Sequence, residues 1–326
     1  FWRSIHLNFA GTLLDLNDIE EAARHVERAA RHVDGQQPTS LFYFRGSIHL
    51  ARGELGPALE LFDEGLRGDP VADWAWSLHE LRGEALERQG DLQAAEDAYE
   101  TAAKIVEDMR RQLGVDELQH WHLAAKREPL EALVRLRAGA GRPLEALAAV
   151  ERAMSRSFLD AFIRSMGGMA SDSARAAWGD RVTGRLETLE VFLPALTESP
   201  AAALRPVSDM LKELEAEHVL IYFEAEETLL LFVLEGGAVE TRVLSPSPEE
   251  AGREVERFLA APDDRTIAEQ LGLLLLPDDV IPPRGAPRRI VADGALARLP
   301  VAALRRGGRT LVEDHDLSSA PSLYVL

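Results

Sequence analysis

The sequence contains no cysteine, which limits both its stabilising bonds and its chemistry. Without cysteine the chain forms no disulfide framework, a composition that suits a reducing compartment and predicts a cytoplasmic protein. A thiolate nucleophile is also excluded within these 326 residues. Chemistry of that kind would need residues from outside this sequence.

Basic residues are scarce as well: 36 Lys and Arg stand against 55 Asp and Glu, for a formal net charge of -19. Nucleic acids are held mainly by Lys and Arg on their phosphates, so this balance predicts no direct nucleic-acid partner. An acidic surface instead attracts basic protein segments through long-range steering. The composition therefore favours proteins or peptides as partners.

Long apolar runs are absent too. The longest, Leu229–Leu234 and Leu271–Leu276, have the length of a strand or a core helix, so we expect no membrane partner. The chain opens at Phe1 with neither Met nor a signal-peptide pattern, and we interpret it as a piece of a longer polypeptide. Its length allows two domains, each with its own core.

Small residues recur at fixed spacing through the first half. The clearest series has offsets of 0, 7, 12, 16, 19 and 24 and consists of Gly46, Gly53, Ala58, Phe62, Gly65 and Pro70. Similar series begin at Ala10, Gly83 and Val134. The pattern resembles the tetratricopeptide (TPR) repeat, two antiparallel helices that cross at small residues, with aromatic or branched residues filling the next groove.

A stack of such repeats forms a concave groove along the first helix of each repeat, and the resemblance implies that this groove holds a peptide or another domain. The residues expected to face it are His6, Phe42, Arg45, His49, His79, Arg82 and Leu86. For each of them the alternative is packing between repeats or contact with water, because many positions of a repeat only build the solenoid.

The last part of the chain has a strand at 288–292, an Asp-Gly turn, a Leu-Pro corner, a Gly-Gly loop and a strand-like run ending in Ala-Pro-Ser. This order resembles the opening of a CHAT domain, the caspase-like and separase-like fold of bacterial cysteine peptidases. The motif positions that we assign a structural role are Asp293, Gly294, Leu299, Pro300, Pro321 and Ser322, and the wider match includes Leu296, Ala303, Leu304, Leu311, Glu313 and Ala320. A second cue, Glu151-Arg152-Ala153 with Arg156, Leu159 and Asp160, resembles the helix that joins TPR repeats to CHAT domains.

The fold class predicted from these patterns is α + α/β, a TPR α-solenoid followed by the N-terminal part of a caspase-like α/β (CHAT) domain. TPR helical repeats are expected over 1–164, a hinge with connecting helices over 165–211, and the CHAT part over 212–326. Three β-rich runs from His218 predict antiparallel strands, and the helices and strand after them predict at least one parallel crossover.

The CHAT resemblance implies that the full-length protein is a cysteine endopeptidase whose Cys/His dyad lies beyond Leu326, as in bacterial defence systems. It also implies a protein or peptide regulator and a protein substrate. We assign no catalytic residue, metal ligand or cofactor to this chain, and the sequence leaves its oligomeric state open. The alternative is a non-catalytic TPR adaptor with a degenerate CHAT-like domain.

Three short clusters receive structural interpretations. The run from Glu313 to Asp316, which contains His315, predicts an exposed strand or turn. His120 and His122 stand two apart, so on a helix they would face different sides and could not share a metal. We expect Asp293 to cap the amides that follow it, and Gly294 to adopt positive φ.

Overall fold

The computed structural model describes residues 2–33, 35, 37–111, 126–154, 206–280, 287–320 and 322–323. The chain divides into two compact units, and the second contains all described residues from Leu130 onward. Residues 165–205 of the expected hinge region and the pair His120 and His122 lie outside the described residues, whereas residues 206–211 are described and include the start of a helix. The limits 1–164, 165–211 and 212–326 therefore stay predictions.

The first unit is a series of helical hairpins. Its helices are α1 (Trp2–Asp15), α2 (Ile19–Ala30), α3 (Thr39–Ala51), α4 (Leu55–Arg67), α5 (Ala72–Gln89), α6 (Leu92–Arg111) and the first residues of α7 (Glu128–Gly139). Within the hairpins, α1 packs on α2, α3 on α4 and α5 on α6. Asn17, Gly53 and Gly90 adopt positive φ between the paired helices, a conformation that ends each first helix sharply.

The second and third hairpins cross where the periodic glycine stands. A Cβ on Gly46 would lie 2.3 Å from the ring of Phe62, and one on Gly83 would lie 2.7 Å from the ring of Tyr99. The aromatic side chain therefore packs against the glycine of its own repeat. Phe62 also clusters with Leu78 of the following helix, in line with the expectation that aromatic residues fill the next groove.

The second unit combines helices with a mixed sheet. Helix α7 ends in this unit, and residues 143–154 are helical and are named α8. The later helices are α9 (Val207–Glu213), α10 (Pro248–Ala260), α11 (Arg265–Leu275) and the short α12 (Leu311–Asp314). The strands are β1 (His218–Ala225), β2 (Thr228–Glu235), β3 (Ala238–Val243), β4 (Pro287–Ala292), β5 (Arg305–Arg306), β6 (Arg309–Thr310) and β7 (Asp316–Ala320).

The main sheet has the strand order β3-β2-β1-β4-β7. Strands β1, β2 and β3 pair antiparallel through tight turns, and Gly236 and Gly237 in the second turn both adopt positive φ. Strand β4 pairs parallel with β1, and β7 pairs parallel with β4. The antiparallel run and the parallel crossover are confirmed, and with them the α + α/β layout.

One face of the sheet is covered by α10 and α11. A capping box between Ser247 and Glu250 begins α10. At the start of α11, the carboxylate of Asp264 accepts hydrogen bonds from backbone N–H groups. The Tyr222 hydroxyl donates to the Leu275 carbonyl at 2.8 Å, which joins β1 to the end of α11. Residues of β1, β2 and both helices form one core, including Leu220, Leu231, Val255, Phe258 and Leu271.

The opposite face of the sheet is equally apolar. Ile221 and Phe223 on β1 and Phe232 on β2 are fully buried there. Strands buried on both faces read as continuous hydrophobic runs, which explains the sequences of β1 and β2. The turn between these strands also contacts α7, because Arg135 Nε lies 3.5 Å from a carboxylate oxygen of Glu226.

Candidate protein-interaction surface

Two of the expected groove residues form equivalent ion pairs between helices. The Arg45 guanidinium on α3 donates to Glu27 on α2 at 3.0 and 3.1 Å, and to Gln37. Arg82 on α5 donates to Asp63 on α4 at 2.8 Å. Each arginine thus pairs with the second helix of the preceding repeat.

The other expected groove residues also contact neighbouring helices or turns. Phe42 lies against Gly65 on α4, and His49 bonds the carboxylate of Glu54 in the turn after its helix. His6 on α1 meets His25 on α2 with 3.2 Å between their Nδ1 atoms. Burial and the nearby Arg82 lower the pKa of His79. A role for these residues in partner binding stays a prediction.

An aromatic cluster lies between α3 and α5, at positions that the sequence analysis did not select. The ring of Tyr43 lies 5.3 Å from Trp74 and 5.0 Å from Phe44, and Trp74 lies 6.5 Å from Phe44. Tyr43 and Phe44 retain partial exposure. The signal in the sequence was the run of aromatic residues at 42–44, of which we selected only the first.

Carboxylates on three other helices disfavour ionisation of the Tyr43 hydroxyl. Burial, followed by the negative charges of Glu80 on α5, Glu128 on α7 and Asp15 on α1, raises the pKa of Tyr43 to about 12. These helices are the first helices of successive repeats. We call the surface formed by Tyr43, Trp74, Asp15, Glu80 and Glu128 the Tyr43 face. The three charged side chains of this face are all carboxylates.

A lysine of the chain itself shows how this unit accommodates a cation. Lys126 Nζ lies 3.4 Å from a carboxylate oxygen of Asp73 and 5.9 Å from the ring centroid of Trp76. Burial lowers the pKa of Lys126, while the charge of Asp73 and its hydrogen bond act in the opposite direction. An indole and a carboxylate together therefore hold an ammonium group in this unit.

The repeat geometry has a counterpart among known protein families. Residues 3–119 match the tetratricopeptide repeat-like domain. The match covers α1 to α6 and supports the TPR part of the sequence analysis. No curated protein matches the chain.

The CHAT-like motif lies in the second unit, at the carboxyl end of β4. Gly294 adopts φ +57°, and a Cβ there would lie 2.0 Å from the Glu224 carboxylate. That carboxylate, at the end of β1, accepts the Ala295 amide at 2.9 Å. Asp293 forms no side-chain capping bond, so the predicted cap is wrong and the missed residue is Glu224. The signal for Glu224 in the sequence was its position as an acidic residue at the end of a strongly apolar strand.

The remaining motif residues occupy varied environments. Leu299 packs in the core beneath α10 and α11, and Pro300 is exposed before a short 3-10 turn. Ser322 is fully buried, and Pro321 lies outside the described residues. Their role as a CHAT motif stays a prediction.

The acidic cluster near the end of the chain differs from its predicted form. Residues 311–314 form α12, begun by a capping box between Thr310 and Glu313, and His315 after it is 7% exposed. The predicted exposed strand or turn is therefore wrong for His315, because the chain turns inward there to begin β7.

The described ranges offer neither a cluster of metal ligands nor a helix suited to a membrane. No group of three or more His, Asp or Glu side chains in those ranges is arranged to hold a metal ion. None of the helices described is long and apolar enough to cross a bilayer.

Proposed function

We propose that the TPR-like repeats form a protein-interaction scaffold and that the Tyr43 face binds a basic segment of a partner protein. The observation that carries this proposal is the convergence of carboxylates from α1, α5 and α7 on one partly exposed tyrosine of α3. TPR-like domains generally mediate contacts between proteins, and the match to that domain supports the same class of function.

The binding chemistry follows from the two components of the face. A Lys or Arg side chain can place its methylene groups on the rings of Tyr43 and Trp74 while its charge lies among Asp15, Glu80 and Glu128. The net charge of -19 adds long-range attraction for such a segment. The attraction is screened by salt, so affinity should fall as ionic strength rises.

Fluorescence anisotropy with a labelled Arg-Ala repeat peptide tests this function on the whole chain. Replacing two acids of the face, Asp15→Asn with Glu80→Gln, should weaken binding about tenfold, or about 1.4 kcal/mol. The matched control removes the same charge from the exposed positions Glu60 and Glu64 on α4. If both double variants weaken peptide binding equally, the peptide is attracted only by the net charge of the chain. That result would contradict binding at the Tyr43 face.

A second proposed function concerns the second unit. We propose that it is the N-terminal part of a caspase-like CHAT domain, and that the chain is the regulatory portion of a bacterial cysteine peptidase acting on a protein substrate. The supporting observation is the strand arrangement, in which the antiparallel strands β1, β2 and β3 come first in the chain and β4 and β7 then extend the sheet in parallel from β1. The alternative remains a non-catalytic adaptor with a degenerate domain.

The natural polypeptide distinguishes these two proposals. Its intact mass should clearly exceed the 35.9 kDa of this chain, and its additional residues should include a Cys and a His. Cleavage of a co-purified partner should then disappear when that Cys is replaced by Ala and persist when a second, distant Cys or Ser is replaced. Partner binding without any cleavage by the unaltered protein would support the adaptor.

A further inference from the structure

Arg288 is a fully buried arginine near the amino end of β4, an interior strand of the sheet in the second unit. It lies on β4, directly opposite His218 on β1 and Leu317 on β7. Its relative exposure is 0%, and among the described residues none accepts a hydrogen bond from its Nε or from either terminal nitrogen. Three donor nitrogens of one guanidinium are thus enclosed without an acceptor.

Two imidazoles border this guanidinium on the same face of the sheet. His218 is its neighbour on β1, and its Nδ1 also has no hydrogen-bond partner within the described ranges. His315 precedes Leu317 by two positions in extended backbone, so it shares the face of Leu317. Both histidines are 7% exposed and lie at the amino ends of the strands. We call Arg288, His218 and His315 the amino-end cluster.

Among the described residues, the charges near Arg288 do not neutralise it. Burial lowers the pKa of Arg288 to about 10, and Tyr222 is the group that opposes this effect. The Tyr222 hydroxyl donates to Leu275, so its proton is engaged elsewhere. The pKa of His218 is lowered by burial, Arg288 and His315, while the exposed Glu235 opposes them. Within the described part of the chain, no carboxylate acts on Arg288 itself.

We propose that the amino-end cluster is a binding site for an oxyanion, either a free phosphate-class anion or a carboxylate group. A buried guanidinium without an acceptor is costly, and its planar fork matches two oxygens of a carboxylate or phosphate. The His218 imidazole, whose Nδ1 has no hydrogen-bond partner within the described ranges, can donate a further hydrogen bond to the same anion. Since His218 lies at the amino end of β1, the anion enters from the amino edge of the sheet.

Thermal unfolding in different salts tests the site. Phosphate, sulfate and acetate are compared at constant ionic strength, with chloride making up the remainder. The wild-type chain should gain several degrees in Tm, with saturation, in phosphate or acetate, because a ligand that binds only the folded state stabilises it. The variant Arg288→Met keeps a long side chain without donors and should lose this response.

The next residue provides a matched control. Arg289 points to the other face of the sheet, where it pairs with Glu217, so Arg289→Met removes an equal charge from the same strand. That variant should keep the anion response. If Arg288→Met does not fold, the variant Arg288→Lys is measured instead. Its gain in Tm with phosphate or acetate should be smaller than that of the wild type, because lysine lacks the bidentate fork of arginine.

The salt series also separates the two sources of the oxyanion. A saturating response to phosphate but not acetate assigns a free phosphate-class anion, and the reverse assigns a carboxylate. No response to phosphate, sulfate or acetate overturns the proposal, whatever the stability of Arg288→Met.

Discussion

The carboxylate of Glu151 on α8 accepts the backbone N–H of Leu323, with both oxygens at 3.2 Å from the amide nitrogen. Glu151 is almost completely buried. A buried carboxylate that accepts a backbone amide replaces the water that this amide would otherwise bind. The bond joins the two stretches that carry the CHAT resemblance, the helix from Glu151 and the segment after β7.

Replacing Glu151 should therefore destabilise the second unit. We expect Glu151→Gln to cost about 1–3 kcal/mol in free energy of unfolding, because a charge-assisted hydrogen bond in a buried site is weakened. Urea unfolding followed by circular dichroism measures this cost. Glu145→Gln on the same helix, where the side chain is exposed and pairs with Arg142, should change stability by less than about 0.5 kcal/mol. Similar losses in both variants would argue against a special role for Glu151.

Gly46→Ala should destabilise the first unit, because its Cβ would lie 2.3 Å from the ring of Phe62. Overpacking of this kind costs about 1–3 kcal/mol. The double variant with Phe62→Leu should recover part of the loss, which a double-mutant cycle of unfolding free energies would show. Gly56→Ala on α4 has open space around its Cβ and should be neutral or stabilising. Additive effects of the two substitutions at 46 and 62 would contradict the contact.

Gly294→Ala should destabilise the second unit more than Gly307→Ala does. Both glycines adopt φ +57°, a conformation that costs an L-residue about 1–2 kcal/mol. The Cβ at 294 would also collide with Glu224, whereas the Cβ at 307 would meet no atom within 4 Å. The difference between the two unfolding free energies measures the effect of displacing Glu224. Equal costs would show that backbone conformation alone requires glycine at 294.

Acidification should destabilise the second unit through His218. Its pKa in the folded state lies below the ordinary value of 6.5, because of burial, Arg288 and His315, with Glu235 opposing them. The stability that this histidine contributes is therefore complete above about pH 6.5 and is lost as the pH falls toward its folded-state pKa.

Unfolding free energies measured from pH 8 to 5 should fall less steeply for His218→Gln than for the wild-type chain. The pKa values of His6 and His79 are also lowered, so both proteins should retain part of the slope. His49→Gln serves as the control because that residue bonds Glu54 in the first unit. If the unfolding free energy falls equally steeply with pH in His218→Gln and in the wild type, His218 is not a source of the acid sensitivity.

Much of the fold could be predicted because its signals are local. The spacing of Gly46 and Phe62 reflects the crossing of two helices in one repeat, and Gly53 and Gly90 mark the ends of first helices. Tight turns at Gly236 and Gly237 indicated the antiparallel strands. Each of these patterns spans few residues, so chain geometry alone relates the sequence to the structure.

The candidate site was less predictable, because side-chain type does not reveal which helix a residue meets. Arg45 and Arg82 were selected as groove residues, and their ion pairs with acids on the preceding helix could not be read from the sequence. Tyr43 was overlooked because the charges around it come from helices far apart in sequence.

By itself the sequence determined the repeat phase, the turns and the order of strands and helices, because these follow from short-range periodicity and backbone preference. Tertiary structure decided that Glu224 rather than Asp293 caps the turn, that Glu151 meets Leu323, and that Arg288 is buried. The first two contacts join distant segments, and the burial depends on packing around the whole sheet. Such contacts arise only when separate elements assemble, and no local pattern encodes them.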